Sequence, residues 1–322
     1  MPILVTGGTG YIGSHTVNML CKSGEDIIVL DNLVCGHKEA IPPKIKFYNG
    51  NINDKNILKK IFSKHDIESV IHFSAYAYVG ESVINPQKYY LNNVCGTLNL
   101  LEIMMEYNCK RIVFSSTCAV YGIPEYLPLD ETHKTNPINP YGRTKLMIET
   151  ILEDYYNAYG LRYACLRYFN ACGADTIESI GESHCPETHI IPLLLESAKN
   201  GKKIVLYGND FNTKDGTCIR DYIHVIDLAK AHLLALTYIK NHEKITCNLG
   251  TGIGTSLKQL LQIIKKITNK DVNYEYGKKR IGDPPELFAS YQLAKQKLNW
   301  QSDINIYDAI NSAWIWMNNK RY

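Results

Sequence analysis

No stretch of this 322-residue chain approaches the ~18 consecutive apolar residues that a membrane-spanning helix needs, and Gly7 interrupts the first apolar run. No basic segment stands ahead of that run, so no signal peptide is read there. An excess of one charge is also missing. The 35 Lys and Arg and 32 Asp and Glu are interleaved for a net charge of +3, which gives no electrostatic reason to expect nucleic acid or a membrane as partner. There are ten cysteines but no C-x-x-C. They are scattered, and Cys95, Cys165 and Cys247 sit in apolar patterns, so they read as free thiols in a reducing, cytosolic compartment. Internal repeats, low-complexity segments, G-x-S-x-G and a P-loop are absent as well.

What is present has the composition of an ordinary globular protein, 45% apolar and 21% charged, long enough for two domains. Short β-branched runs alternate with helical patterns: Ile3–Val5, a helix over Tyr11–Cys21, then Ile27–Leu30, Lys46–Tyr48, Val70–Phe73, Arg111–Phe114 and Tyr163–Leu166. Continuous apolar strands separated by helices predict an α/β fold, a Rossmann-type doubly wound parallel sheet covered on both faces. The rhythm weakens after Tyr168. The expected division is a nucleotide-binding domain over 1–170 and a smaller α/β substrate domain over 171–322. Strands at Tyr222–Val225 and Ile245–Leu249, within 220–250, are candidates to return to the first sheet. Helices over Tyr89–Tyr107 and Tyr141–Tyr159 carry apolar stripes too wide for one face, which fits either a deeply covered core or a homodimer interface.

Gly7, Gly10 and Gly13 lie between the first strand and the first helix. Glycine there lets the backbone turn tightly and approach a pyrophosphate, which meets free amides at the helix N-terminus. Asp31 ends the second strand, where a carboxylate accepts hydrogen bonds from a ribose 2′-hydroxyl and repels a 2′-phosphate, favouring NAD over NADP. A second glycine-rich segment, Gly250–Gly254, has no such acidic residue behind it and reads as a structural turn.

Tyr-x-x-x-Lys occurs three times, as Tyr141/Lys145, Tyr274/Lys278 and Tyr291/Lys295. Only the first lies in the nucleotide-binding half, just after Asn139-Pro140, a helix start. Residues four apart share a helix face, so Lys145 can sit near both the Tyr141 phenol and a cofactor ribose. A base is needed to remove a proton from a sugar hydroxyl, and phenol at pKa about 10 is a poor one. A nearby ammonium and a positive nicotinamide ring would each favour phenolate; the expectation is a phenol brought to roughly 7, about 4 kcal/mol of electrostatic work. Thr117 supplies a hydroxyl to bridge substrate and tyrosine. Nothing acidic follows it in Cys118-Ala119-Val120-Tyr121, which counts against a dehydratase. His184-Cys185-Pro186-Glu187-Thr188-His189 is not read as a metal site, because no second ligand cluster accompanies it, and no metal is expected.

With these residues placed, the chain resembles an extended short-chain dehydrogenase/reductase, and within that group the UDP-glucose 4-epimerase family. The stretches that carry the likeness are GGTGYIGSHT (7–16), VIHF (70–73), VGESV (79–83), YYLNNVCGTLNLLE (89–102), NPYGRTKLM (139–147), RYFNACGAD (167–175), PETH (186–189) and DGTCIRDYIHV (215–225). The resemblance implies bound NAD, a UDP-sugar substrate and inversion at sugar C4 through a transient 4-keto sugar. It implies Thr117, Tyr141 and Lys145 as catalytic residues. Around NAD it places Gly7, Gly10, Tyr11, Ile12, Gly13, Asp31, Asn32, Asn51, Ile52, Phe73, Ala75, Asn92 and Phe169 as well. Around the UDP-sugar it places Asn170, His189, Tyr207, Arg220, Arg280, Asp283 and Leu287.

Arginine suits a diphosphate, although Arg167, Arg220 and Arg280 could equally be plain surface charges. Departures from the family pattern are Asn51 for aspartate, Ala77 for lysine, Thr117 for serine and His189 for asparagine. Leu287 stands where a bulky tyrosine narrows the sugar pocket in some members, so N-acetylated hexoses are expected to enter. The alternatives are a 4-epimerase of a UDP-pentose or UDP-uronate, a net NAD-dependent sugar-nucleotide oxidoreductase, and a non-catalytic NAD-sensing module.

Overall fold

The computed structural model describes every residue but 281. Seven strands form one parallel sheet: β1 (Ile3–Thr6), β2 (Ile27–Asp31), β3 (Lys46–Asn49), β4 (Ser69–His72), β5 (Arg111–Thr117), β6 (Arg162–Tyr168) and β7 (Lys244–Leu249). Their order is β7-β6-β5-β4-β1-β2-β3. The direction of winding reverses between β1 and β4, and an open α/β sheet of this kind holds its ligand beyond the strand ends at that crossing.

Alternate strand residues point to opposite faces, so each strand contributes to two cores. Ile3, Val5, Ile27, Val29 and Leu166 pack under the helices Tyr11–Lys22 and Val225–Asn241. Leu4, Ile28, Leu30, Ile112, Phe114 and Cys165 pack on the other face, under Lys55–Lys64, Gly96–Glu106 and Pro140–Tyr159. Burial on both faces is the reason the strands are apolar throughout rather than alternating.

The smaller sheets lie in the C-terminal part. Ile219–His224 runs parallel to Asn170–Cys172 and Glu286–Leu287 and antiparallel to Gly254–Ser256, while Ile204–Tyr207 pairs with Tyr274–Gly277. Two expectations are corrected here. Ile245–Leu249 does join the main sheet, as β7, but the strand containing Tyr222–Val225 builds the second sheet instead. Cys95 is exposed rather than apolar core, and all ten cysteines are free.

The helix expected over Tyr89–Tyr107 is also interrupted. It runs Pro86–Tyr89, passes through a π-helical turn at Tyr90–Cys95, and continues as Gly96–Glu106. Insertions of this kind re-aim side chains and are frequent at functional sites. Among the described residues no helix is long and apolar enough to cross a membrane.

Candidate active site

The loop after β1 is shaped by what glycine leaves out. Gly7 has φ +71°, and a Cβ there would stand 2.6 Å from the amide nitrogen of Ser74; at Gly13 it would stand 2.2 Å from the carbonyl oxygen of Gly7. Both distances are too short for any side chain. Gly10 differs, since a Cβ would meet only Gly7 O, at 3.4 Å. It begins the helix Tyr11–Lys22, whose N-terminus carries no side-chain cap, so the first-turn amides are free for an anion. The backbone cradle and the uncapped helix end fit a dinucleotide pyrophosphate.

Asp31 lies at the end of β2 and is buried. Its Oδ2 accepts from the Thr9 amide (3.1 Å) and its Oδ1 from the Leu33 amide (2.9 Å). It therefore pins the loop from below, at the strand end where a ribose would lie. The second glycine-rich turn is built differently. Thr251 N, Thr251 Oγ1, Gly252 N and Ala289 N all donate to the buried carboxylate of Asp221, so this turn is filled from within, as the sequence reading expects.

Thr117, Tyr141 and Lys145 converge beyond the C-terminal end of β5. Thr117 is its last residue, and its Oγ1 accepts from Ala119 N (3.2 Å). Asn139 caps the helix Pro140–Tyr159 by accepting from Gly142 N, with Pro140 at the first position, so Tyr141 enters in the first turn. Lys145 is only 2% exposed; its Nζ donates to the carbonyl of Ser115 (2.6 Å) and stands 5.9 Å from the Tyr141 ring centre. Burial favours the neutral form of each group. It pushes Tyr141 up to about 12, against a lowering hydrogen bond with Thr117, and it brings Lys145 down to about 7. Without a ligand the phenol therefore lies above its ordinary value, and the expected lowering is left to the bound cofactor.

Residues outside the expected catalytic trio hold this group in place. Arg167 on β6 makes a bidentate ion pair with Glu149, two turns beyond Tyr141, through Nε to Oε1 (3.0 Å) and Nη2 to Oε2 (2.6 Å). Ser116 Oγ on β5 also donates to Glu149 (2.5 Å), and Arg167 Nη1 donates to Tyr121 Oη (3.0 Å). All four are buried. Arg167 is therefore neither a surface charge nor a diphosphate ligand.

From the other side, Asn93 in the π turn donates to Thr144 Oγ1 (3.1 Å) and to the Tyr76 carbonyl (3.1 Å), and accepts from Tyr76 N (2.9 Å). Thr144 donates in turn to the Tyr141 carbonyl (2.7 Å). Asn92, the neighbour the sequence reading singles out, is half-buried and donates to Asn93. Buried His72 on β4 completes the frame. Thr97 gives its proton to Asn93 O, so His72 Nε2 carries the hydrogen toward Thr97 (2.9 Å) while Nδ1 accepts from Thr6 (2.6 Å). Burial, with Lys145 nearby, keeps this ring neutral, at about 3.

The remaining expected residues fall into two groups. Around the crossing point, Tyr11 donates to Gly173 O (2.6 Å), half-buried Phe73 packs on His232, Ile52 is core, and half-buried Ile12 and Ala75 lie beside the loop. Asn32 and Asn51 use their side-chain oxygens on their own turns. Around the smaller sheets, Asn170 Nδ2 donates to Asp221 O (2.9 Å), Arg220 is ion-paired with Asp283, and Arg280 stacks over the exposed Tyr207 ring at 4.1 Å. Leu287 stands in register beside Arg220 and packs with Val120, Tyr121, Leu129 and buried Phe169. His189 is separate from these, in contact with Glu182.

A Rossmann sheet with a glycine cradle at its crossing point and a Thr-Tyr-Lys group on β5 and the following helix defines a nicotinamide-dependent enzyme of the short-chain dehydrogenase/reductase class. The chain belongs to the NAD dependent epimerase/dehydratase family, whose model matches residues 3–250. A UDP-glucose 4-epimerase of Streptococcus mutans is 47% identical over 321 residues, covering 98% of this chain and 96% of that protein. Among solved structures, a UDP-glucose 4-epimerase superposes with TM-score 0.97 at 46% identity, covering 99% of this chain and 98% of that one. The Brucella ovis UDP-glucose 4-epimerase in complex with NAD gives TM-score 0.93 at 47% identity, covering 96% of each chain. NAD is the cofactor of the family.

The buried lysine predicts a pH dependence. Its folded-state value is about 7 and its unfolded value near 10.5. Between these limits the unfolded chain binds the extra proton, so this group's contribution to stability falls as pH drops from about 10 to 7, then levels off. Denaturant unfolding of ligand-free wild type and Lys145→Met across that window should show the variant's advantage growing toward pH 7. A constant difference would mean that Lys145 titrates normally.

Proposed function

We propose that the protein is an isomerase that interconverts UDP-glucose and UDP-galactose, with NAD retained through the cycle. The observation that carries this reading is the convergence of Thr117, Tyr141 and Lys145 beside the glycine cradle, with Cys118 rather than a carboxylic acid following Thr117. Bound NAD supplies the acceptor and donor for the C4 hydride, and its positive ring favours phenolate at Tyr141. Tyr141 takes the proton of the C4 hydroxyl and returns it after the 4-keto sugar has turned over. Thr117 holds the sugar oxygen against the phenol, and Lys145 keeps a positive charge and a ribose contact beneath it.

The nucleotide-binding role falls to residues 1–170 with the returning segment, and Asp31, Asn32, Asn51, Ile52, Phe73, Ala75, Asn92 and Phe169 are its proposed contacts. Asn170, at the boundary, and Tyr207, Arg220, Arg280, Asp283 and Leu287, from 171–322, are proposed to face the UDP-sugar. Arg220 is preset by Asp283, so a diphosphate would share that arginine rather than find it free. Free thiols support a reducing cytoplasmic setting, where the reaction would serve galactose metabolism or polysaccharide supply.

Proton NMR of enzyme with UDP-galactose and no added NAD tests the reading. Wild type should give UDP-glucose to a steady ratio, and Tyr141→Phe should be slower by about 10²–10⁴-fold. An inert wild type, even with NAD supplied, would remove the substrate assignment.

Leu287, set between Arg220 and Phe169, is proposed to admit N-acetylated hexoses. Leu287→Tyr should lower turnover of UDP-N-acetylgalactosamine by about tenfold or more relative to UDP-galactose. Equal turnover by parent and variant would end the idea.

Leu91, Leu98 and Met147 remain exposed on the two neighbouring helices that carry Asn93 and Tyr141. An apolar face of this kind supports a homodimer. Sedimentation of the NAD-bound enzyme at micromolar concentration should give twice the chain mass, and a monomer would contradict it.

A further inference from the structure

One cluster outside the reaction site combines residues that the mechanism leaves unused. The turn after Ile180–Gly181 brings Glu182, His184, Glu187 and His189 together, with one ligand atom of each within 4.8 Å of all the others. Glu182 was invisible as a partner in the sequence pattern, and it supplies the ligand that the His184–His189 segment lacked.

Part of the cluster is already hydrogen-bonded, since Glu187 Oε1 accepts from the amides of Thr188 (2.8 Å) and His189 (2.9 Å) and His189 Nδ1 bonds Glu182 Oε1, but one buried donor atom is left over. His184 Nδ1 is buried and approaches Glu182 Oε1 at 3.2 Å and Glu187 Oε2 at 3.8 Å, yet it makes no hydrogen bond among the described residues. His189 Nδ1 lies 3.9 Å from Glu187 Oε1 and in direct contact with Glu182 Oε1. Tetrahedral ligands at 2.0–2.2 Å from zinc are separated by about 3.3–3.6 Å, so the Glu182–His184 edge (3.2 Å) already has nearly the required length and the His184–Glu187 edge (3.8 Å) is slightly long. The edge that is too short is His189 against Glu182. His189 is half exposed and has room to open that edge. Two neutral imidazoles and two carboxylates would also neutralise a divalent ion, which removes the difficulty of burying the Glu182 charge.

We propose that Glu182, His184, Glu187 and His189 form a structural site for a divalent transition-metal ion, zinc by its ligand set. The proposal goes beyond the epimerase reading and does not depend on it. It also reassigns His189 from the sugar pocket to the metal. The site would act as a clasp. The Tyr11 and Tyr78 rings stand perpendicular to that of His184, with ring centres 6.4 and 6.0 Å away, and Glu182 O accepts from Trp316 Nε1 (2.8 Å). An ion there would join the cofactor loop, the segment after β4 and the C-terminal helix. Four protein ligands leave no open position for catalysis, so the expected effect is on stability and cofactor retention.

The test is a calorimetric titration of EDTA-treated, NAD-bound enzyme with zinc chloride, followed by cobalt chloride to read tetrahedral geometry from the visible spectrum. Wild type should take up about one ion per chain, give a tetrahedral cobalt band and melt several degrees higher with zinc. Glu182→Gln and His189→Ala should each weaken zinc uptake at least tenfold, and His65→Ala should not. If Glu182→Gln fails to fold, the half-exposed His189→Ala variant carries the comparison. Wild type without stoichiometric uptake, or variants that bind zinc as wild type does, would overturn the assignment.

Discussion

The active arrangement depends on the buried pairing of Glu149 with Arg167. One carboxylate receives two nitrogens from β6 and one hydroxyl from β5, so the helix Pro140–Tyr159 is fixed against both strands at once. Tyr141 and Lys145 lie within two turns of that attachment. A buried pair of this kind adds little net stability compared with apolar residues, but removing one member strands a charge at a cost of about 3–5 kcal/mol. Its value here is positional: Lys145 Nζ reaches the Ser115 carbonyl only if the helix stays at this height over the sheet.

The Asn93 network and His72 act on the same helix from the opposite edge. Asn93 satisfies all of its amide in holding Tyr76, Thr144 and, through Asn92, the π turn itself. The backbone carbonyl of Tyr141 is thus tied, through Thr144, to a residue far away in sequence. The dryness that results explains why both titrating groups favour their neutral forms before any ligand arrives. A bound positive ring would shift Tyr141 back toward its charged form.

Sequence alone revealed what sterics and helical periodicity encode. Gly7 and Gly13 were legible because no other residue fits those positions, and Tyr141/Lys145 because four residues separate neighbours on a helix. The six main-sheet strands of the first half were legible from their apolar continuity. The Glu149–Arg167 pair was not, since its members come from different elements and each looks like a surface charge in isolation. Asn93 hid beside the more obvious Asn92, and the π turn that distinguishes them has no pattern of its own. Tyr222–Val225 was a candidate for the main sheet, and its strand, Ile219–His224, builds the second one, because an apolar run does not name its neighbour. Burial of Tyr141 in the ligand-free chain was not legible for a related reason: it comes from the whole fold.

One junction has a mechanical meaning. β6 ends at Tyr168 in the main sheet, and Asn170 already begins a strand of the second sheet, with only buried Phe169 between them. The two sheets are therefore joined through one buried residue, with no loop between them that could act as a slack linker. On the proposed reaction, the half-turn that presents the opposite face of the sugar is then made by the substrate's own bonds, with no slack at this link to share in it.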